Sequence, residues 1–274
     1  MKNLFSTILI LLLIGCNPKR KTSFTEIDCI KEEMPKFDGR KVSLLDENGV
    51  AFKDTIIDKI EKRRTVFKPC RDYIYSAKFY DENRNLITST RIKMTATGKR
   101  WKFQPELQDE LIVQHEYSKE DRKKAAKYKL NKKLPDYGWM KETKTGIIEN
   151  VEKIWMHPFR SNQFSFTEVA PFPEIKYPIE IGKSWTGQLH IQEGWGDWEN
   201  TSGNSSYEIT SREPIETKYG KINPCWKVKS KSSYPFGKST FDYWFSETLG
   251  FVKMNYRNYG GQYLEIELEE VNDR

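Results

Sequence analysis

Few residues in this chain combine the type and spacing that chemistry needs. Cys16 is one. It ends the run Leu13-Ile14-Gly15-Cys16, with an apolar stretch before it and a basic one after it. A thiolate is reactive near neutral pH, so this position suits covalent modification. The stretch Gly194-Trp195-Gly196-Asp197-Trp198-Glu199 is a second cluster. Two tryptophans would stack a sugar ring, and Asp197 and Glu199 would bond its hydroxyls. A hydrolytic pair would need carboxylates about 5 to 9.5 Å apart. The plainer alternative is a hairpin whose tryptophans fold onto a sheet.

The remaining candidates are weaker. His115, His157 and His190 are far apart in sequence, and a zinc site needs three or four converging ligands. His115 falls on the apolar face of a strand pattern and His190 on a polar one. His157, near Arg160, reads as a structural corner. There is no His-Glu-x-x-His, Cys-x-x-Cys or Gly-x-Ser-x-Gly, and no phosphate-binding or dinucleotide glycine loop. No metal, cofactor or nucleic acid is therefore expected, and a binding role is expected over an enzymatic one.

The N-terminus gives an address. Lys2 supplies a positive start, and residues 4–14 form an apolar core of eleven residues. A membrane-spanning helix needs roughly 17 to 25, so the run suits a signal peptide instead. Leu13, Ile14, Gly15 and Cys16 resemble the lipobox of bacterial lipoproteins. That resemblance implies removal of residues 1–15, a diacylglyceryl group on Cys16 and acylation of its amino group. Two or more chains make a stable anchor, so the membrane is a partner through Cys16. Asn17 stands where Asp would imply retention in the inner membrane. The expected location is the outer membrane, on either face.

The chain has 274 residues and a net charge of +7. Such a balance permits contact with anionic headgroups or other polyanions. Aromatics at 14% supply a core, and charged residues at 31% a solvated surface. Cys29, Cys70 and Cys225 remain beside Cys16. They allow one disulfide in any of three pairings, in a compartment that permits it.

Residues 16–40 are polar and read as a tether. Residues 41–274 read as a β-rich domain, or as two units divided at 160/161. In residues 44–64, Asn48-Gly49 signals a turn, and Asp54 is a candidate cap for a short helix carrying Ile56, Ile57 and Ile60. From Tyr73 the apolar period becomes two, through Tyr75, Ala77, Phe79, then Ile92, Met94, Ala96, then Leu111, Val113, His115. This is an antiparallel meander. Residues 118–133 break it with eight lysines or arginines against Glu120 and Asp121. Ser118 and Asp121 make a near capping box, so an exposed basic helix is expected. It is either a solvated lid or a clamp for lipid headgroups or acidic glycans. Residues 171–178 form a proline-punctuated connection. Beyond Gly182, six alternating runs separated by glycines predict six antiparallel strands over residues 184–271.

The order Pro178, Gly182-Lys183-Ser184-Trp185, Tyr219-Gly220-Lys221, Cys225-Trp226-Lys227-Val228, Tyr243-Trp244-Phe245, Leu249-Gly250-Phe251-Val252-Lys253 resembles the TapB-like domain family of bacterial envelope proteins, over residues 171–271. The resemblance implies a curved antiparallel sheet, akin to the half-barrel that carries lipoproteins across the periplasm. It implies no catalytic residue.

The fold expected is thus mainly β: a curved antiparallel sheet or half-barrel, covered by the basic helix and the proline-rich connection. Trp226, Val228, Phe241, Tyr243, Phe245, Leu264, Ile266 and Leu268 should share its apolar face. That face is the candidate site for a lipid, an acyl chain or another envelope protein. Glycan binding or hydrolysis through Trp195, Asp197, Trp198 and Glu199 is the second reading. Assembly through an open sheet edge is the third. One expectation tests the address directly. Cys16→Ser should abolish acylation and membrane attachment; a variant whose mass still includes acyl chains would remove the lipoprotein reading.

Overall fold

The computed structural model describes residues 24–30, 41–45, 50–56, 65–134 and 139–274. Cys16, the signal segment, Asn48-Gly49, Ile57 and Ile60 lie outside them. Two short strands, β1 (Lys41–Leu45) and β2 (Ala51–Ile56), pair with each other as a separate antiparallel hairpin. Asp54 is therefore in a strand and does not cap a helix. It faces Ser43 across the pair, accepts its hydroxyl at 2.7 Å and pairs with Lys41 at 2.7 Å. Cross-strand polar pairs favour extended backbone here.

The rest of the chain builds one antiparallel sheet. Its first half contains β3 (Arg71–Tyr80), β4 (Leu86–Arg100), β5 (Asp109–Glu116), β6 (Glu142–Glu149), β7 (Lys153–Met156) and β8 (Glu174–Lys176). Its second half contains β9 (Ser184–Ile191), β10 (Thr201–Thr217), β11 (Gly220–Tyr234), β12 (Gly237–Ser246), β13 (Gly250–Arg257) and β14 (Tyr263–Asp273). The order is β8-β7-β6-β5-β4-β3-β14-β13-β12-β11-β10-β9. Each half is a meander, and β3 pairs with β14 to join them into twelve continuous strands. The six strands expected after Gly182 are all present.

The sheet is curved and not closed, and its concave face is apolar. Tyr73 and Tyr75 of β3, Met94 of β4, Leu111 of β5, Val228 of β11, Phe241 of β12 and Met254 of β13 are buried in one cluster. Leu264, Ile266 and Leu268 of β14 join them, alternating along the strand as one face of a pleat must. The cover over this face begins further upstream than the prolines. A 3-10 segment, Asn162–Val169, lays Phe164, Phe166 and Val169 into the concavity, and Phe159 and Ala170 extend it on either side. Burying each large apolar side chain contributes about 1.5–3 kcal/mol. Polar groups fix the segment's position. The Gln163 side chain accepts from Thr88 at 2.6 Å and donates to Thr90 at 2.9 Å, and the Ser232 hydroxyl donates to the Val169 carbonyl at 3.1 Å. In the proline-rich connection, Glu174 accepts from the Trp185 indole at 2.8 Å and pairs with Lys153 at 3.3 Å. It thereby links the two ends of the sheet.

The basic stretch forms one short helix, α1 (Lys119–Ala126), with the full capping box between Ser118 and Asp121. Only Ala125 of the helix is buried. The helix stops at Ala126, well before Lys133, and Asn131 beyond it ties this stretch to the tryptophan loop. Its buried amide donates to the Trp195 carbonyl at 2.6 Å and accepts from the backbone of Leu134 and Asp197 at 2.9 and 3.1 Å.

Residues 24–30, part of the expected tether, are packed on the convex face. The Ile30 amide donates to Thr97 at 2.8 Å, Lys93 reaches the Thr25 carbonyl at 3.1 Å, and Arg274 reaches the Ile27 carbonyl at 2.9 Å. Gly98 makes this approach feasible, because a Cβ there would stand 1.7 Å from the Ile30 carbonyl oxygen. Cys29 is bonded to Cys70, and Cys225 is a buried free thiol. The crosslink spans 41 residues, so it should contribute about 2–4 kcal/mol. The double variant Cys29→Ser, Cys70→Ser should lose stability of that order in denaturant titration. An unchanged midpoint would show that the packing of residues 24–30 needs no crosslink.

Candidate functional site

The expected apolar face is assembled, but it is full. Val228, Phe241, Tyr243, Phe245, Leu264, Ile266 and Leu268 are all inaccessible to solvent. Val228 stands opposite Tyr243, and Phe241 and Leu264 both stand opposite Tyr256. The Phe241 and Tyr256 rings stack 3.9 Å apart. Trp226 is different. It is half-buried at the rim, donates to Glu247 at 3.0 Å and lies under the Arg212 guanidinium at 4.9 Å. The other seven are packed among core side chains, with Tyr243 bonded to the Glu174 carbonyl and Phe245 against Phe251.

A cavity of about 370 Å³ opens instead at one end of the concavity. Its apolar wall includes Phe79 from β3, Phe166 from the 3-10 segment, Leu130 after α1, and Trp195 and Trp198. Trp139 and Met140 stand at the wall as well, and Met140 is 46% exposed. Polar side chains around it are mostly engaged. Gln262 donates to the Tyr128 carbonyl at 3.0 Å, and Arg160 pairs with Glu168 at 3.7 Å.

The tryptophan loop thus belongs to this cavity. Trp198 is buried, donates to the Tyr259 hydroxyl at 2.9 Å and packs near Phe236. Trp195 is half-buried and roughly parallel to it, with ring centres 6.4 Å apart. Asp197 pairs with Lys133 at 2.9 Å, and Glu199 accepts from the Gly194 amide at 3.1 Å. Glu199 is thus used within the loop, while Asp197 makes an exposed ion pair that contributes little to its shape. Tyr234, beneath this cluster, requires Gly203, where a Cβ would come within 2.3 Å of the ring.

Sequence reasoning alone misses Phe79, Leu130, Trp139 and Phe166 as site residues. The only signal is apolar side chains, Tyr128, Leu130 and Leu134, interrupting a basic run. No group of residues suited to hold a metal occurs among the described residues.

No known family model matches the chain, and no curated protein matches it. The TapB-like resemblance therefore rests on the residues that carry it. Solved structures with a similar course exist. One is a protein of Bacteroides fragilis provisionally described as exported, with a YmcC-like fold. It is 12% identical, covers 74% of this chain and 96% of its own, and has a TM-score of 0.42. A provisionally described lipoprotein of Parabacteroides distasonis is 12% identical over 77% of this chain and 99% of its own, with a TM-score of 0.43. A LolA superfamily protein of Nitrosomonas europaea is 8% identical over 74% and 86%, with a TM-score of 0.28. Likeness at this level assigns no activity.

Two histidines pack against aromatic rings, His115 under the covering segment and His157 beside it. His115 stacks on Phe164 at 5.7 Å, and neither ring nitrogen has a hydrogen bond among the described residues. Burial, helped by Lys141, pushes its pKa down to about 4. His157 lies against Trp155 and Phe172 at 4.7 and 5.4 Å, and burial holds it well below the ordinary range. The unfolded chain binds protons at these rings near pH 6.5, and the folded chain does not. Stability should be complete above pH 6.5 and fall as the pH drops toward 4. The loss from His115 alone is about 3 kcal/mol. His115→Phe should flatten that part of the profile in denaturant titrations from pH 7 to 4. An unchanged slope would exclude His115 as its source.

Proposed function

We propose that this chain is a lipid-anchored protein of the bacterial outer membrane that binds an acyl chain or similar apolar ligand and catalyses no reaction. The anchor is lipidated Cys16. The observation that carries the ligand reading is the cavity of about 370 Å³ between Phe79, Phe166, Leu130 and Trp195. Its size falls within the range of about 300–1,000 Å³ usual for small-molecule sites. Apolar area removed from water there contributes about 25 cal/mol per Å² before association costs.

The glycan reading draws on the same loop, with less support. Trp195 alone offers a partly open ring, while Asp197 and Glu199 are committed to Lys133 and the Gly194 amide. The assembly reading draws on β9, the end strand of the sheet, which among the described residues pairs on one side only, with β10.

A fluorescent fatty acid tests the proposal. The unaltered protein should bind it, and Ala126→Trp and Ser165→Leu, both changes in the cavity wall, should weaken binding at least tenfold. Melting temperatures should stay within a few degrees of the unaltered protein. An unaltered protein that fails to bind the probe would refute the reading.

A further inference from the structure

The segment that lines the cavity with Ala125, Ala126 and Lys129 carries the most concentrated charge in the chain. Residues 118–133 hold eight lysines or arginines against two acids. Asp121 is spent on the Ser118 cap, and Lys133 on Asp197. Lys119, Lys123, Lys124, Lys127 and Lys132 are exposed, and none has an ion-pair partner among the described residues. Glu120, three and four positions before Lys123 and Lys124, offsets part of this charge; the excess of like charge still costs stability unless an anionic surface faces it.

An apolar rim adjoins the lysines. Met140 is exposed and yet fixed: its amide donates to the Asn162 side chain at 2.8 Å, and its carbonyl accepts from that side chain at 3.0 Å. Trp139 stands edge-on to Tyr117 at 4.8 Å, and the Tyr117 hydroxyl donates to the Trp139 carbonyl. A soluble polyanion offers charge alone. A bilayer offers charge at the headgroups and an apolar layer just beneath, which suits lysines beside a presented Met and Trp.

We propose that Lys119, Lys123, Lys124, Lys127 and Lys132, with Met140 and Trp139, form a docking surface for an anionic phospholipid bilayer. Docking there turns the cavity mouth toward the acyl chains. This rests on the lipid reading only for its purpose; the surface can be tested without any ligand in the cavity.

The test uses the full, membrane-extracted protein with vesicles of phosphatidylcholine alone or with one-third phosphatidylglycerol. Flotation is measured, and then acetylation of each lysine by a water-soluble ester is followed by mass spectrometry. Lys229 and Lys231, exposed on β11, serve as references. On anionic vesicles Lys123, Lys124 and Lys127 should react about tenfold more slowly than on neutral ones, and 0.5 M salt, a screening of about 4 Å, should reverse the difference. Lys123→Gln, Lys124→Gln and Lys127→Gln together should remove the protection of Lys119 and Lys132. Equal rates on both vesicles, or protection untouched by the triple variant, would overturn the proposal. So would equal protection by soluble polyphosphate at matched charge, which would assign the patch to polyanions in general. Flotation on neutral vesicles reports the Cys16 anchor separately, and probe binding in solution reports the cavity, so the three readings fail independently.

Discussion

A curved sheet with one apolar face must bury that face, and everything else in this molecule follows from how it does so. Phe164 and Phe166 supply the cover from the chain's own middle. Their segment enters between β7 and β8, where the sheet has narrowed to strands of four and three residues. Short edge strands leave the space that the segment fills. Gln163, Ser232 and Glu174 then satisfy the polar groups that such a crossing brings inside, which an apolar interior otherwise penalises. The cavity is what remains where the cover ends.

The convex face solves a different problem. It is solvated over β10–β14, where Lys253 pairs with Glu267 and Lys218 with Glu269. Over β3 and β4 it is closed by residues 24–30. There Asp72 sits beneath Lys93 and Arg274 at 3.3 and 3.1 Å and accepts from Thr95 at 2.6 Å. A carboxylate so enclosed is tolerable because cations and a hydroxyl replace its water.

The strands are legible in the sequence because each keeps one apolar and one polar face, and glycines mark the turns between them. The capping box at Ser118 is legible because its two residues lie three apart. The cover is not. Phe164 and Phe166 differ by two positions, a strand-like spacing, yet the segment is 3-10 because the concavity, and not a neighbouring strand, receives its side chains. The cavity is harder still. Phe79, Leu130, Phe166 and Trp195 come from four separate stretches, and only the curvature of the sheet brings them together. Trp195 and Trp198 stand out in sequence by composition, which gives no hint that Trp198 is interior.

The Cys29–Cys70 bond also decides how the molecule bears mechanical load. Tension applied to the chain upstream of Cys29 crosses the disulfide to Cys70 and enters β3, the strand that begins one residue later and sits at the centre of the sheet. The covalent path bypasses residues 30–69. The β1–β2 hairpin lies within that bypass, so drag on the domain would leave it slack while the central strands carry the force.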